Sequence, residues 1–92
     1  MTVYVDNAIH QFGRMVMCHM MADTTEELLE MADRIGVARK WLQRAGTTYE
    51  HFDISKGKRA EAVKAGAVEV RSRDLGLLMK RKRADLIREM KG

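Results

Sequence analysis

The sequence predicts an α/β fold: one compact domain with a small, mostly buried sheet of three to four short strands and three to four helices. Three observations predict it. Short apolar runs such as Thr2-Val3-Tyr4-Val5 and Ala67-Val68-Glu69-Val70 alternate with stretches of helical periodicity. The helical stretches open on capping residues and close on glycine. The length of 92 residues suffices for one modest core, so residues 1–92 are read as a single domain.

The elements follow in order. Thr2 to Val5 is β-branched and aromatic and stops at Asp6-Asn7, which reads as a buried strand ending in a polar turn. An acid just after a first strand commonly marks the functional edge of an α/β sheet. His10 falls in the loop that follows. Arg14 to Met21, RMVMCHMM, is a second apolar run, which periodicity leaves open between a strand and an apolar connection.

Thr24 and Glu27 then form a capping-box pattern, and Leu28, Met31, Ala32 and Ile35 fall on one face, so a helix spans residues 24–35 with Gly36 as its cap. Residues 37–44 read as a short second helix with Val37, Trp41 and Leu42 inward. Gly46-Thr47-Thr48 is a turn, and an extended segment runs from there to Ile54. Ser55 caps a helix over 56–65, which Gly66 closes. After the strand at 67–70 comes a basic helix over about 72–90, with Leu75, Leu78, Met79, Leu86 and Met90 on its inner face.

The composition, 46% hydrophobic and 33% charged, is that of a folded domain rather than a disordered one. Eight methionines and few aromatics imply an adaptable core. They also leave room for a homodimer interface. The one cysteine, Cys18, excludes an intrachain disulfide and fits a reducing compartment. No apolar run approaches the ~20 residues of a membrane helix, and no signal-peptide pattern opens the chain. The expected location is cytoplasmic, with no membrane partner.

The net charge of +4 is unevenly spread. Residues 1–55 carry five bases and eight acids, and residues 56–92 carry twelve bases and five acids. A basic half suggests an anionic partner.

Three constellations carry candidate chemistry. In the first, Asp6, His19, Asp23, His51 and Asp53 supply imidazoles and carboxylates. His51 and Asp53, two apart, share one side of an extended segment. Such a pair can move protons or ligate a divalent cation. No HExxH or CxxC spacing is present, so no resident metal is expected. In the second, Ser55, Lys58 and Arg59 stand at a helix start, where free N–H groups and side-chain bases can hold a phosphate. In the third, Lys80-Arg81-Lys82-Arg83, with Arg71 and Arg73, offers contacts to a phosphate backbone. Each has a bland alternative: backbone-bonded loop side chains, a plainly capped helix and a solvated helix face. Cys18 beside His19 reads as a buried inert thiol, because neighbours on a strand face apart.

These residues and their order resemble a family of small bacterial and phage proteins, domain of unknown function 4031 (DUF4031). The likeness runs from Val3 to about Val70. It rests on Val5-Asp6, Cys18 to Asp23, Glu27-Leu28, Met31-Ala32, Ile35-Gly36, His51-Phe52-Asp53 and Ala65-Gly66-Ala67. The resemblance implies no activity. It implies that His19, Asp23, His51 and Asp53 belong together. Leu29 stands where relatives carry a further His, so a third imidazole ligand is missing.

The leading functional expectation is a binding module for a phosphate-bearing partner, nucleic acid or nucleotide, using the basic last helix and a His/Asp cleft. One alternative is a small hydrolase or nuclease, with His51 as general base or metal ligand and Asp53 and Asp23 orienting or ligating. Another is a phage-encoded factor, working in the host cytoplasm, whose basic helix docks on an acidic host protein.

Overall fold

The computed structural model describes residues 2–7, 10–12 and 15–91. Its strands are β1 (Val3–Val5), β2 (His10–Phe12), β3 (Met15–Ala22), β4 (Phe52–Ser55) and β5 (Val68–Glu69). Its helices are α1 (Thr25–Ile35), α2 (Lys56–Lys64) and α3 (Ser72–Lys91). The apolar run left open by periodicity is thus the longest strand. His10 opens β2 instead of lying in a loop. Arg14 lies outside the described residues.

The eight-residue β3 organises the sheet. Met17 pairs with both His10 and Ser55, and Met20 pairs with both Val5 and Phe52. A strand has two edges, so β1 and β2 share one edge of β3 while β4 takes the other. The five segments therefore fill four positions, β4, β3, β1 with β2, and β5. β5 joins β1 in parallel, so the sheet is mixed.

Between β1 and β2 the register slips. Val5 faces Met20 and His10 faces Met17, so the ladder along β3 is interrupted opposite Cys18 and His19. An interruption of this kind, a bulge, leaves ladder groups without their usual partners. It places Asp6 at the site described below.

Alternation separates the two faces. Val3, Val5, Cys18, Met20, Ala22, Phe52 and Ile54 form the main core, with Leu28, Met31, Ala32 and Ile35 of α1 and Ala62 of α2 packed over them. α1 is fixed at both ends as the sequence predicts. The Thr24 hydroxyl accepts the Glu27 N–H, and Gly36 turns left-handed at φ 78°. On the opposite face Met21 meets Leu75 and Leu78 of α3, with Tyr4, Val70 and Met79 around them. α3 covers only part of that face. The remainder carries His19 and Asp53.

Two expectations are corrected. Residues 37–44 form only a single 3-10 turn, Arg39–Trp41, and Trp41 is 63% exposed. Ala38 is extended and offers no side-chain cap to start a helix. The Lys40 ammonium lies over the indole instead, 5.1 Å from its centre. Val37 and Leu42 do pack against the core, half-buried.

The inner stripe of α3 also ends early. A helix of 20 residues is about 30 Å long. It overshoots the sheet, leaving Leu86 48% and Met90 78% exposed. Two basic side chains fasten it before it leaves. The Arg81 guanidinium donates to Asp23 at 2.7 Å and the Lys82 ammonium to the Ala22 carbonyl at 3.0 Å.

Candidate acid–base site

Asp6 is the buried anchor of the polar face, 1% exposed. Its own N–H still reaches the His19 carbonyl at 3.0 Å. At the bulge its carboxylate stands in for the missing ladder acceptor, taking the His19 N–H on Oδ1 at 2.8 Å. The other oxygen faces His19 Nδ1 at 2.8 Å and accepts the Ser72 hydroxyl at 3.3 Å. A carboxylate only accepts, so Nδ1 carries the proton in this pair.

His51 is held in a parallel way. It exchanges two backbone hydrogen bonds with Gln43 in an isolated bridge, at 2.9 and 3.1 Å. Its Nδ1 lies 2.8 Å from the Tyr49 carbonyl. A carbonyl has no proton to give, so Nδ1 donates here too, and Nε2 of the neutral ring is an acceptor.

Both rings aim Nε2 at one atom. Asp53 faces His19 across the β3–β4 ladder. Its Oδ1 lies 3.6 Å from His51 Nε2 and 3.8 Å from His19 Nε2. The two rings are 5.7 Å apart and nearly perpendicular. Asp53 Oδ2 is taken by the Gln43 amide at 2.7 Å, whereas Oδ1 is buried with no hydrogen bond. Buried carboxylate oxygens without a donor are rare and costly. A proton delivered to this point satisfies it. Among the described residues, no group of three or more His, Cys, Asp or Glu side chains is placed to hold a metal ion. Leu29 of α1 is half-buried and packs against the main core.

Asp23 does not join this cluster. It sits four residues from His19, just past the end of β3 and roughly 13 Å away along an extended chain. There it accepts the Thr2 N–H at 3.0 Å, the Tyr4 hydroxyl at 3.1 Å and Arg81 at 2.7 Å. Asp23 clasps the chain's start to α3. Glu50, beside His51, also turns away. It is 4% exposed and takes the Thr25 hydroxyl at 2.7 Å at the positive end of α1.

The expected phosphate cradle is not assembled as a unit. The Ser55 hydroxyl accepts the Lys58 N–H as the α2 cap, and the Lys58 ammonium pairs with Glu61 at 3.3 Å. Arg59 instead reaches the Asp6 carbonyl at 2.8 Å and Glu69 at 2.9 Å. On α3 the bases divide. Arg71 and Arg73 flank Asp74, and Arg81 and Lys82 fasten the helix. Lys80 and Arg83 are exposed and make no hydrogen bond or ion pair among the described residues. Burial pushes the Cys18 thiol up, against the opposing charge of Arg59.

A family model described as "Protein of unknown function (DUF4031)" matches residues 3–82. The chain belongs to the DUF4031 family. The match extends past Val70, where the visible likeness ends, and stops at Lys82, the last side chain tying α3 to the sheet. Nothing among the curated proteins or the solved structures matches the chain. The DUF4031 region thus includes every residue of the His19, His51 and Asp53 cluster and excludes the overhanging end of α3.

The sequence points to Asp6 both as a strand-end acid and as a member of the His/Asp set, and it gives no sign of Gln43 or Ser72. The Val5-Asp6 stop was the signal for Asp6. Gln43 and Ser72 carry no local signal, because a bridge and a helix start bring them in from a distance.

Proposed function

We propose that this member of the DUF4031 family is a small hydrolase in which His51 and His19 move protons around Asp53. One observation carries the reading: two imidazoles, each anchored through Nδ1, present Nε2 to a buried carboxylate oxygen that has no hydrogen bond. His51 Nε2 takes a proton from the attacking water, Asp53 Oδ1 stabilises the resulting imidazolium, and the imidazolium returns that proton to the alcohol oxygen as the ester bond breaks. The buried Asp6 does the same for His19 and fixes its ring. Two carboxylates at the cleft favour this use over direct capture of a phosphate, which they would repel.

The test is turnover of p-nitrophenyl carboxylate and phosphate esters by wild type, His51→Ala and Asp23→Asn. Hydrolysis is expected in wild type, with a loss of about 10²-fold or more in His51→Ala at unchanged circular dichroism. Asp23→Asn retains it. Absence of turnover on every ester, or full turnover in His51→Ala, sinks the reading.

The exposed Lys80 and Arg83 favour a second reading, a nucleic-acid binding module. Binding would then fall steeply with salt and vanish in the Lys80→Ala/Arg83→Ala variant, without any turnover.

A further inference from the structure

β1 and β5 are the parallel pair of the sheet, and both open at their carboxyl ends onto one edge. The chain leaves β1 through Asp6-Asn7 and β5 through Val70-Arg71. In parallel α/β arrangements this edge is where ligands sit. Two cavities adjoin there. One, of about 280 Å³, is lined by Asn7, Cys18, Lys56, Arg59 and Ala60. The other, of about 400 Å³, is lined by Asn7, Arg59 and Arg71 with Glu69, Val70 and Asp74. They share Asn7 and Arg59, so Arg59 is their common wall.

Arg59 is the best-fixed base on this edge. Its side chain is 21% exposed. Its Nε is tied to the Asp6 carbonyl and one terminal nitrogen to Glu69. Such anchoring removes much of the entropy an arginine loses on gripping a ligand. Lys56 and Arg71, exposed at the outer ends, add two more bases against Glu69 and Asp74. The guanidinium donates to the same residue whose carboxylate holds His19. Arg59 thus ties this edge to the residue that fixes the His19 ring.

Resting on the hydrolase reading, we propose that this edge is the phosphate subsite of the substrate. Arg59 grips a phosphate group, Asn7 supplies an amide donor, and Lys56 and Arg71 attract the flanking charge. The substrate class is then a phosphate ester, either a nucleotide or a nucleic-acid backbone. The assignment keeps Arg59 from the sequence-predicted cradle and replaces Ser55 and Lys58, which α2 uses internally.

The experiment is a titration followed by amide chemical shifts, with inorganic phosphate, a mononucleotide and a short single-stranded oligonucleotide as probes. It uses wild type, Lys56→Ala/Arg71→Ala and His51→Ala. Shifts at Asn7, Arg59 and Arg71 are expected, with affinity at least tenfold lower in the Lys56/Arg71 variant and unchanged in His51→Ala. Shifts with the mononucleotide assign the site to nucleotides, and shifts with the oligonucleotide alone assign it to the backbone; both uphold the subsite. No shift at these amides with any probe at millimolar concentration overturns it, as does equal affinity in the Lys56/Arg71 variant. Turnover is scored separately. Binding at this edge with no hydrolysis by wild type overturns the hydrolase and leaves the subsite standing. Hydrolysis of carboxylate esters without phosphate binding does the reverse.

Discussion

Asp23 and Asp53 lie on the same half-covered side of the sheet and serve opposite ends. Asp23 receives three donors, a backbone N–H, a phenol and a guanidinium. Asp53 receives one, from Gln43, and leaves its other oxygen buried between two imidazole nitrogens that stand beyond hydrogen-bond length. A carboxylate with its acceptors filled is a fastener. One that faces two proton-free ring nitrogens has room for a proton between them. The protein spends the first to dock α3 and the second, on our reading, to do chemistry.

The sharpest way to break that contrast is at Phe52 and Asp53, neighbours on opposite faces. Phe52 is fully buried in the main core, so Phe52→Ala is expected to cost about 3–5 kcal/mol in denaturant unfolding. Asp53→Asn is expected to keep its unfolding midpoint within about 0.5 kcal/mol while abolishing turnover. If Asp53→Asn unfolds as readily as Phe52→Ala, Asp53 is a fastener after all.

Asp6 should fall between the two roles. It is buried and accepts three hydrogen bonds from His19 and Ser72. Asp6→Ala strands the His19 N–H, and a loss of about 2–3 kcal/mol is expected together with lost turnover. Stability unchanged to within error would remove Asp6 from the frame of the site.

Asp23→Asn retains two donors and loses the charge of the Arg81 pair, which is partly exposed. A cost of about 0.5–1 kcal/mol is expected, shrinking in high salt, with turnover intact. Turnover lost in this variant would return Asp23 to the catalytic set.

The smallest expected signal is at Cys18, which precedes His19 but points into the main core. Burial raises its thiol above the ordinary cysteine value. Alkylation at pH 8 should therefore be slow in the native protein and fast in denaturant. Rapid native alkylation would mean that the core face opens.

Much of the fold was legible because local signals and burial agree. The Thr24 cap, the Gly36 stop and the apolar spacing of α1 all point to one helix, and the Ser55 cap does the same for α2. The failures came where tertiary contact decides. Trp41 looks like a core residue in sequence, but its ring is turned out to solvent beneath the Lys40 ammonium while the turn is tied to α1 through Arg39 and Asp33. The stripe of α3 is periodic to Met90, yet periodicity does not report where the sheet ends. In the site, the pairing of His51 with Asp53 followed from two-residue spacing. Its convergence with His19 needed the antiparallel β3–β4 register, which no single stretch encodes. Asp23 shared the spacing logic and was drawn off by Arg81, 58 residues away.

The central claim is that one oxygen of Asp53 is shared by two imidazoles. Nitrogen-15 spectra of the histidine rings in wild type, Asp53→Asn and Asp23→Asn test it most directly. The account predicts that both His19 and His51 keep the proton on Nδ1, that both Nε2 signals move in Asp53→Asn, and that neither moves in Asp23→Asn. Nε2 signals indifferent to Asp53→Asn would contradict it.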